Sequence, residues 1–173
     1  MITKASVRGR AMHPMLVVFP LGLFTAGLVA LIAFLSSDDP FFYRVAYLAM
    51  LTGGVVAVPT AVLGLIDLTG VPRDSRAKPL GIVHAAFALS TTALFVAAGL
   101  VMLSSWAART DTPLATTLPL ALSTIGIALL GGTGLLGWHM VSQHHVGVTP
   151  IPDRFRARLP SVLTHGHRAE VSR

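Results

Sequence analysis

Four side chains capable of ligand or proton chemistry interrupt the apolar segments of this chain: His13, Asp67, His84 and His139, with His144 just beyond the last. Neutral imidazole nitrogen binds haem iron, zinc or copper, and a neighbouring carboxylate holds the other ring N–H and fixes the tautomer. Three imidazoles and one carboxylate therefore make a sensible ligand set, for a haem b or for a divalent metal. Cysteine is absent, which removes disulfides, thiolate metal sites, iron–sulfur clusters and cysteine catalysis.

The elements that must position these residues are membrane spans. Of the 173 residues, 53% are hydrophobic and 12% charged, whereas soluble domains carry about 25% charged residues. Whole segments of more than about 20 residues lack any charge, which is the mark of transmembrane helices. The pattern predicts an all-α, integral membrane, up-down-up-down four-helix bundle over residues 13–148, with spans at 14–35, 41–68, 80–106 and 114–141. Residues 1–12 form a basic N-terminus. The first apolar run is too long for a signal h-region and lacks a small-x-small cleavage pattern, so it is expected to be a retained helix.

His13 before Pro14 suits a helix start, because proline in the first turn has no amide hydrogen to leave unpaired. The spacings Gly22, Ala26, Ala30 and Gly53, Ala57, Ala61 lay small side chains along one stripe of each of the first two spans, which predicts close packing on a neighbour. SSDDP (36–40) and 107–113 are short polar turns, and GVPRDSRAKP (70–79) is a breaker-rich basic loop. Trp106 and Trp138 fall near span ends, where indoles favour the interface. The tail, 149–173, has too little apolar content to pack alone and is expected to be mobile. No repeat with a period of 20–50 residues is present.

Charge fixes the expected orientation. Eleven of the 13 Lys and Arg residues fall in the N-terminus, the 70–79 loop and the tail, and only Arg44 and Arg109 lie on the other side. By the positive-inside rule both termini are cytoplasmic. The basic excess thus orients the spans, and nucleic acid is not expected as a partner. With alternating spans, His13, Asp67, His84 and His139 all reach the cytoplasmic end at similar depth. Ionisable groups inside spans are costly unless they face the bundle interior and find partners. Each also has a structural role open to it: His13 as a helix-start residue, Asp67 paired with loop amides or with Arg73 or Arg76, and His84 and His139 bonded to a neighbouring helix. His144 and His145 are expected to be exposed, and the glycines of the fourth span to serve packing.

HPMLVVFPLGL (13–23), GLIDL (64–68), HAAF (84–87) and GWHMVSQHHVGV (137–148), in this order and spacing, resemble the bacterial membrane proteins of the domain of unknown function 2231 family, over roughly residues 11–149. The resemblance implies a four-helix integral membrane domain with no assigned activity. Some relatives are joined to Rieske-type or cytochrome-like domains, which implies electron-transfer surroundings. His13, Asp67, His84 and His139 match the family's polar pattern, His144 matches a histidine of another branch, and Trp138 stands where the family usually carries a second glycine.

Three functions compete. The first is a redox-associated subunit with one b-type haem near the cytoplasmic face, ligated by two of His13, His84 and His139, with His84 and His139 as the preferred pair. The second is a non-haem metal site of His13, Asp67, His84 and His139. The third is a non-catalytic scaffold or assembly subunit. Expected partners are the lipid bilayer, an electron-transfer protein or other membrane subunit, and further copies of the chain in a homo-oligomer, all in a bacterial inner membrane. No nucleophile elbow frames Ser142, and GGTGLLG (131–137) follows no strand, so hydrolase and dinucleotide-binding chemistry lack support. A carrier usually needs inverted repeats and broken helices. A reporter fused after Arg173 should be active only in a cytoplasm-dependent form; activity confined to the far side of the membrane would reverse the orientation.

Overall fold

The computed structural model describes residues 6–7, 10–108 and 114–144, with side chains described for 12–108 and 114–143. The basic tail and His145 lie outside these residues. Two short strands, β1 (Ser6–Val7) and β2 (Arg10–Ala11), pair antiparallel ahead of the first span, a detail that an all-helical expectation does not contain. Among the described residues five helices follow: α1 (His13–Leu16), α2 (Val18–Ser37), α3 (Pro40–Gly70), α4 (Ala77–Ala108) and α5 (Thr117–His144). Together α1 and α2 make one apolar segment, His13–Ser37, so that four segments are long and apolar enough to cross a membrane.

Local chemistry explains the boundaries. Pro14 lies in the first turn of α1. Pro20 has no N–H for the Leu16 carbonyl, and the helix breaks at Val17 before resuming as α2. The SSDDP turn is closed from both sides. Asp38 takes a left-handed conformation (φ 54°) and sends its N–H to the Phe34 carbonyl, while Asp39 accepts the Phe41 N–H at 2.9 Å with Pro40 in the first turn of α3. At the other end of α3, the Lys78 ammonium reaches from the next helix to the Leu68 carbonyl, 2.7 Å away. Pro59 sits inside α3 without ending it, as membrane helices allow. Each helix runs two or three residues beyond its expected C-terminal limit, and α5 starts three residues later than expected, at Thr117.

The core lies along the line where the helices meet. Phe24 of α2 and Phe95 of α4 stack with ring centroids 4.5 Å apart and an interplanar angle of 7°. Leu31, Met50 and Met102 are fully buried beyond them. The stack is possible because Gly53 of α3 lies against Phe24 and Gly126 of α5 against Phe95. A β-carbon at either glycine would approach the ring to 2.7–2.8 Å, closer than carbon packing tolerates. Of the small stripe expected on the first span, Ala30 is buried, whereas Gly22 and Ala26 are exposed and Gly27 receives Met50. Gly53 and Ala57 of the second stripe are buried as expected, and Ala61 is half-buried.

Helix pairs differ in how closely they meet. α3 and α4 approach through two glycines, Gly54 against Val96 and Gly99 against Leu51. α2 and α5 meet over only a short stretch. At the end away from the histidines, Tyr43 is fully buried and its hydroxyl lies 3.2 Å from the Met102 carbonyl and 3.0 Å from that of Ala115, its one proton serving both. Trp106 stacks on Tyr43 at 6.2 Å and carries the Arg44 guanidinium over its face. This single phenol ties α3 to the end of α4 and the approach to α5. Tyr43→Phe should therefore destabilise the protein by about 1–3 kcal/mol, since it strands buried acceptors. Thermal unfolding in detergent measures it, and an unchanged midpoint would refute the clamp.

Candidate functional site

Two of the sequence-selected histidines come together. The rings of His13, at the start of α1, and His84, in the second turn of α4, have centroids 6.4 Å apart and an interplanar angle of 84°. Both are half-buried. Each ring spends its Nδ1 on the backbone of the next long helix: His13 Nδ1 lies 2.9 Å from the Thr60 carbonyl oxygen in α3, and His84 Nδ1 lies 3.0 Å from that of Thr133 in α5. A carbonyl only accepts, so each Nδ1 carries the proton in the neutral ring and each Nε2 is left with its lone pair.

Helix geometry explains why these two carbonyls are reachable. A helical side chain leans toward the N-terminus and covers the turn before its own Cα. The residue four places after a carbonyl therefore screens it. Four places after Thr60 stands Gly64, and four places after Thr133 stands Gly137. A β-carbon on Gly64 would lie 2.8 Å from His13 Cε1 and 3.0 Å from Nδ1; on Gly137 it would lie 3.3 Å from His84 Cε1. The imidazole thus occupies a notch left by a missing side chain. Both threonines are buried and turn their own hydroxyls back to the carbonyls of Val56 and Leu129, which keeps them from competing for the histidine.

The remaining candidates stand apart from this pair. Asp67 is half-buried in the last turn of α3, and His139 is exposed on α5 beside Trp138, which is 72% exposed. Both make interactions of their own. His144 closes α5, and its side chain lies outside the described set. The four-residue set His13, Asp67, His84 and His139 is not gathered: among the described residues, no three His, Asp or Glu side chains come close enough to hold a metal ion. The depth argument put His84 opposite His139, yet the turn of α5 that faces His84 carries Thr133 and Gly137, and His139 lies two residues, or about 200°, round from Gly137. Thr60, Gly64, Thr133 and Gly137 were not selected from sequence. Their signal is the spacing Thr-x-x-x-Gly, present once in each of the two helices that receive a histidine.

A family model described as predicted membrane protein, DUF2231, matches residues 9–150. The chain belongs to this family. Its matched region takes in all four apolar segments and both histidine notches. No curated protein and no solved structure matches the chain significantly. DUF2231 membership and the four apolar helices together make this an integral membrane protein.

Proposed function

We propose that the protein is a redox-associated membrane subunit that binds one b-type haem between His13 and His84. The facing pair of imidazoles, each oriented through Nδ1 on a helix carbonyl, carries this reading. Histidine ligands characteristically donate their second N–H to a carbonyl or carboxylate, which fixes the tautomer and raises the basicity of the ligating nitrogen. With ring centroids 6.4 Å apart, both imidazoles would be within reach of one ion at metal–nitrogen distances of about 2.0–2.1 Å. Gly64 and Gly137, on the helices flanking the pair, add no side-chain bulk beside the rings. When bound, such a haem supplies reversible one-electron transfer. His13 and His84 would hold the group, and the Thr60 and Thr133 carbonyls would fix the tautomer and rotation of their rings.

In this assignment the preferred pair is His13 with His84 in place of His84 with His139, because His139 is exposed. The helices pass up, down, up and down through a bacterial inner membrane, with the histidine end, next to Arg73, Arg76 and Lys78, in the cytoplasm. An electron-transfer protein or another membrane subunit delivers or removes the electron, and copies of the chain are free to associate in the bilayer. Protein purified from haem-sufficient cells should show a Soret band that shifts on reduction. His13→Ala and His84→Ala should each abolish or transform it, and His139→Ala should leave it intact. A colourless preparation that is fully folded would refute the haem assignment.

A second role is favoured by the same hydrogen bonds, which tie α1 to α3 and α4 to α5. In a non-catalytic scaffold the two histidines only hold these helices together. Substituting both would then lower stability and leave partner binding in the membrane unchanged.

A further inference from the structure

The two histidine sites are copies of each other. His84 lies 71 residues after His13, and Phe95 lies 71 residues after Phe24. In the partner helices the offset is 73: Gly53 to Gly126, Thr60 to Thr133, and Gly64 to Gly137. The contacts repeat as well as the residues. Phe24 packs on Gly53 as Phe95 packs on Gly126, and His13 bonds Thr60 beside Gly64 as His84 bonds Thr133 beside Gly137. Buried positions follow the same offsets, with Gly27 and Ala98, Leu31 and Met102, and Met50 and Ser123 all buried. In a two-fold pair, equivalent residues touch each other only near the axis. Here the two histidine rings meet and the two phenylalanine rings meet, as residues beside a two-fold axis would.

We infer that the chain is a tandem pair of one helical hairpin, and that Gly64 and Gly137 are equivalent positioning residues that set the two imidazoles facing each other across its pseudo-two-fold axis. The hydrogen-bonding atom in each half is a backbone carbonyl, which substitution cannot delete; the glycine that uncovers it is the residue on which ring placement turns. That the positioned rings ligate a cofactor rests on the function proposed above. The notch itself does not.

Glycine-to-alanine substitution tests this directly, because α5 supplies its own controls. Gly131 and Gly134 have nothing within 4 Å of a notional β-carbon, so Gly131→Ala and Gly134→Ala change helix propensity without touching the site. In full-length protein labelled with 15N-histidine, wild type should show two Nδ1-protonated rings with hydrogen-bonded shifts. Gly64→Ala should remove that signature from His13 alone and Gly137→Ala from His84 alone. The controls should resemble wild type. The effect should be larger at Gly64, where the contact is 2.8 Å, than at Gly137, where it is 3.3 Å. If haem is bound, its retention should weaken by about 10-fold in Gly64→Ala, as for loss of an outer-shell partner of a metal ligand.

Should Gly64→Ala fail to fold, the milder Gly137→Ala decides the matter by the same spectrum. The inference is overturned if the notch variants match the controls, or if each substitution perturbs both histidines alike. A wild-type protein without a Soret band but with both histidine signatures lost selectively would end the haem assignment and leave the positioning role standing.

Discussion

The constraint on which the histidine end depends is the treatment of one N–H in a medium without water. An imidazole inside a membrane protein must place its ring proton on an acceptor, because an unpaired polar group there costs several kcal/mol. The available acceptors are helix carbonyls that already serve their own helix. A carbonyl has a second lone pair, but the side chain four residues later hides it. Removing that side chain at Gly64 and Gly137 solves the problem in both halves of the bundle. The consequence reaches beyond hydrogen bonding. Each ring is held in rotation and tautomer, and so its remaining nitrogen has a defined direction. Whatever the pair binds would meet ligands ordered in advance, which reduces the entropy cost of binding.

The interior beyond the histidines obeys the same economy of volume. Phe24 and Phe95 stack on the axis because Gly53 and Gly126 make room behind them, and such ring pairs contribute about 0.5–1.5 kcal/mol beyond their burial. Between lipid-soluble helices there is no hydrophobic drive toward association, so van der Waals fit and interhelical hydrogen bonds must supply the specificity. The bundle uses glycine under aromatic rings for the first and histidine or tyrosine to carbonyl for the second. The two kinds of contact alternate along the axis, with histidines at one end, phenylalanines in the middle and Tyr43 at the other.

Much of this architecture is legible in the chain. The long apolar runs mark all four spans and the SSDDP turn announces its caps; of the histidines expected together, His13 and His84 meet. Two things were not legible. The first is azimuth. In a helix that is apolar all round, periodicity does not say which face packs, and a stripe of small residues is a guide only to within a residue or two. Gly27 therefore carries the contact in place of Gly22 and Ala26. The same uncertainty placed His139 opposite His84, since position along a span suggests a depth and says nothing of rotation. The second is the duplication. Its period of 71–73 residues is that of a whole hairpin, and between the odd-numbered spans few positions beyond His13 and His84, Leu23 and Leu94, Phe24 and Phe95 keep the same residue. The identities that share a contact, such as Phe24 and Phe95 or Gly53 and Gly126, look sparse in the sequence until the contacts connect them.

The duplication is broken at one seam, and the break has a mechanical meaning. Where α3 and α4 interlock through Gly54 and Gly99, the equivalent places on α5 and α2 are held by Ile127 and Leu28. Branched side chains wedge where glycines would mesh. The α3–α4 seam is thus the more closely meshed of the two edges between the hairpins, which also touch through His13 on His84 and Phe24 on Phe95. A displacement of His13 can reach the other half directly through His84 or by way of α3, and the edge where α2 and α5 meet only briefly is the side on which the two hairpins are least tied.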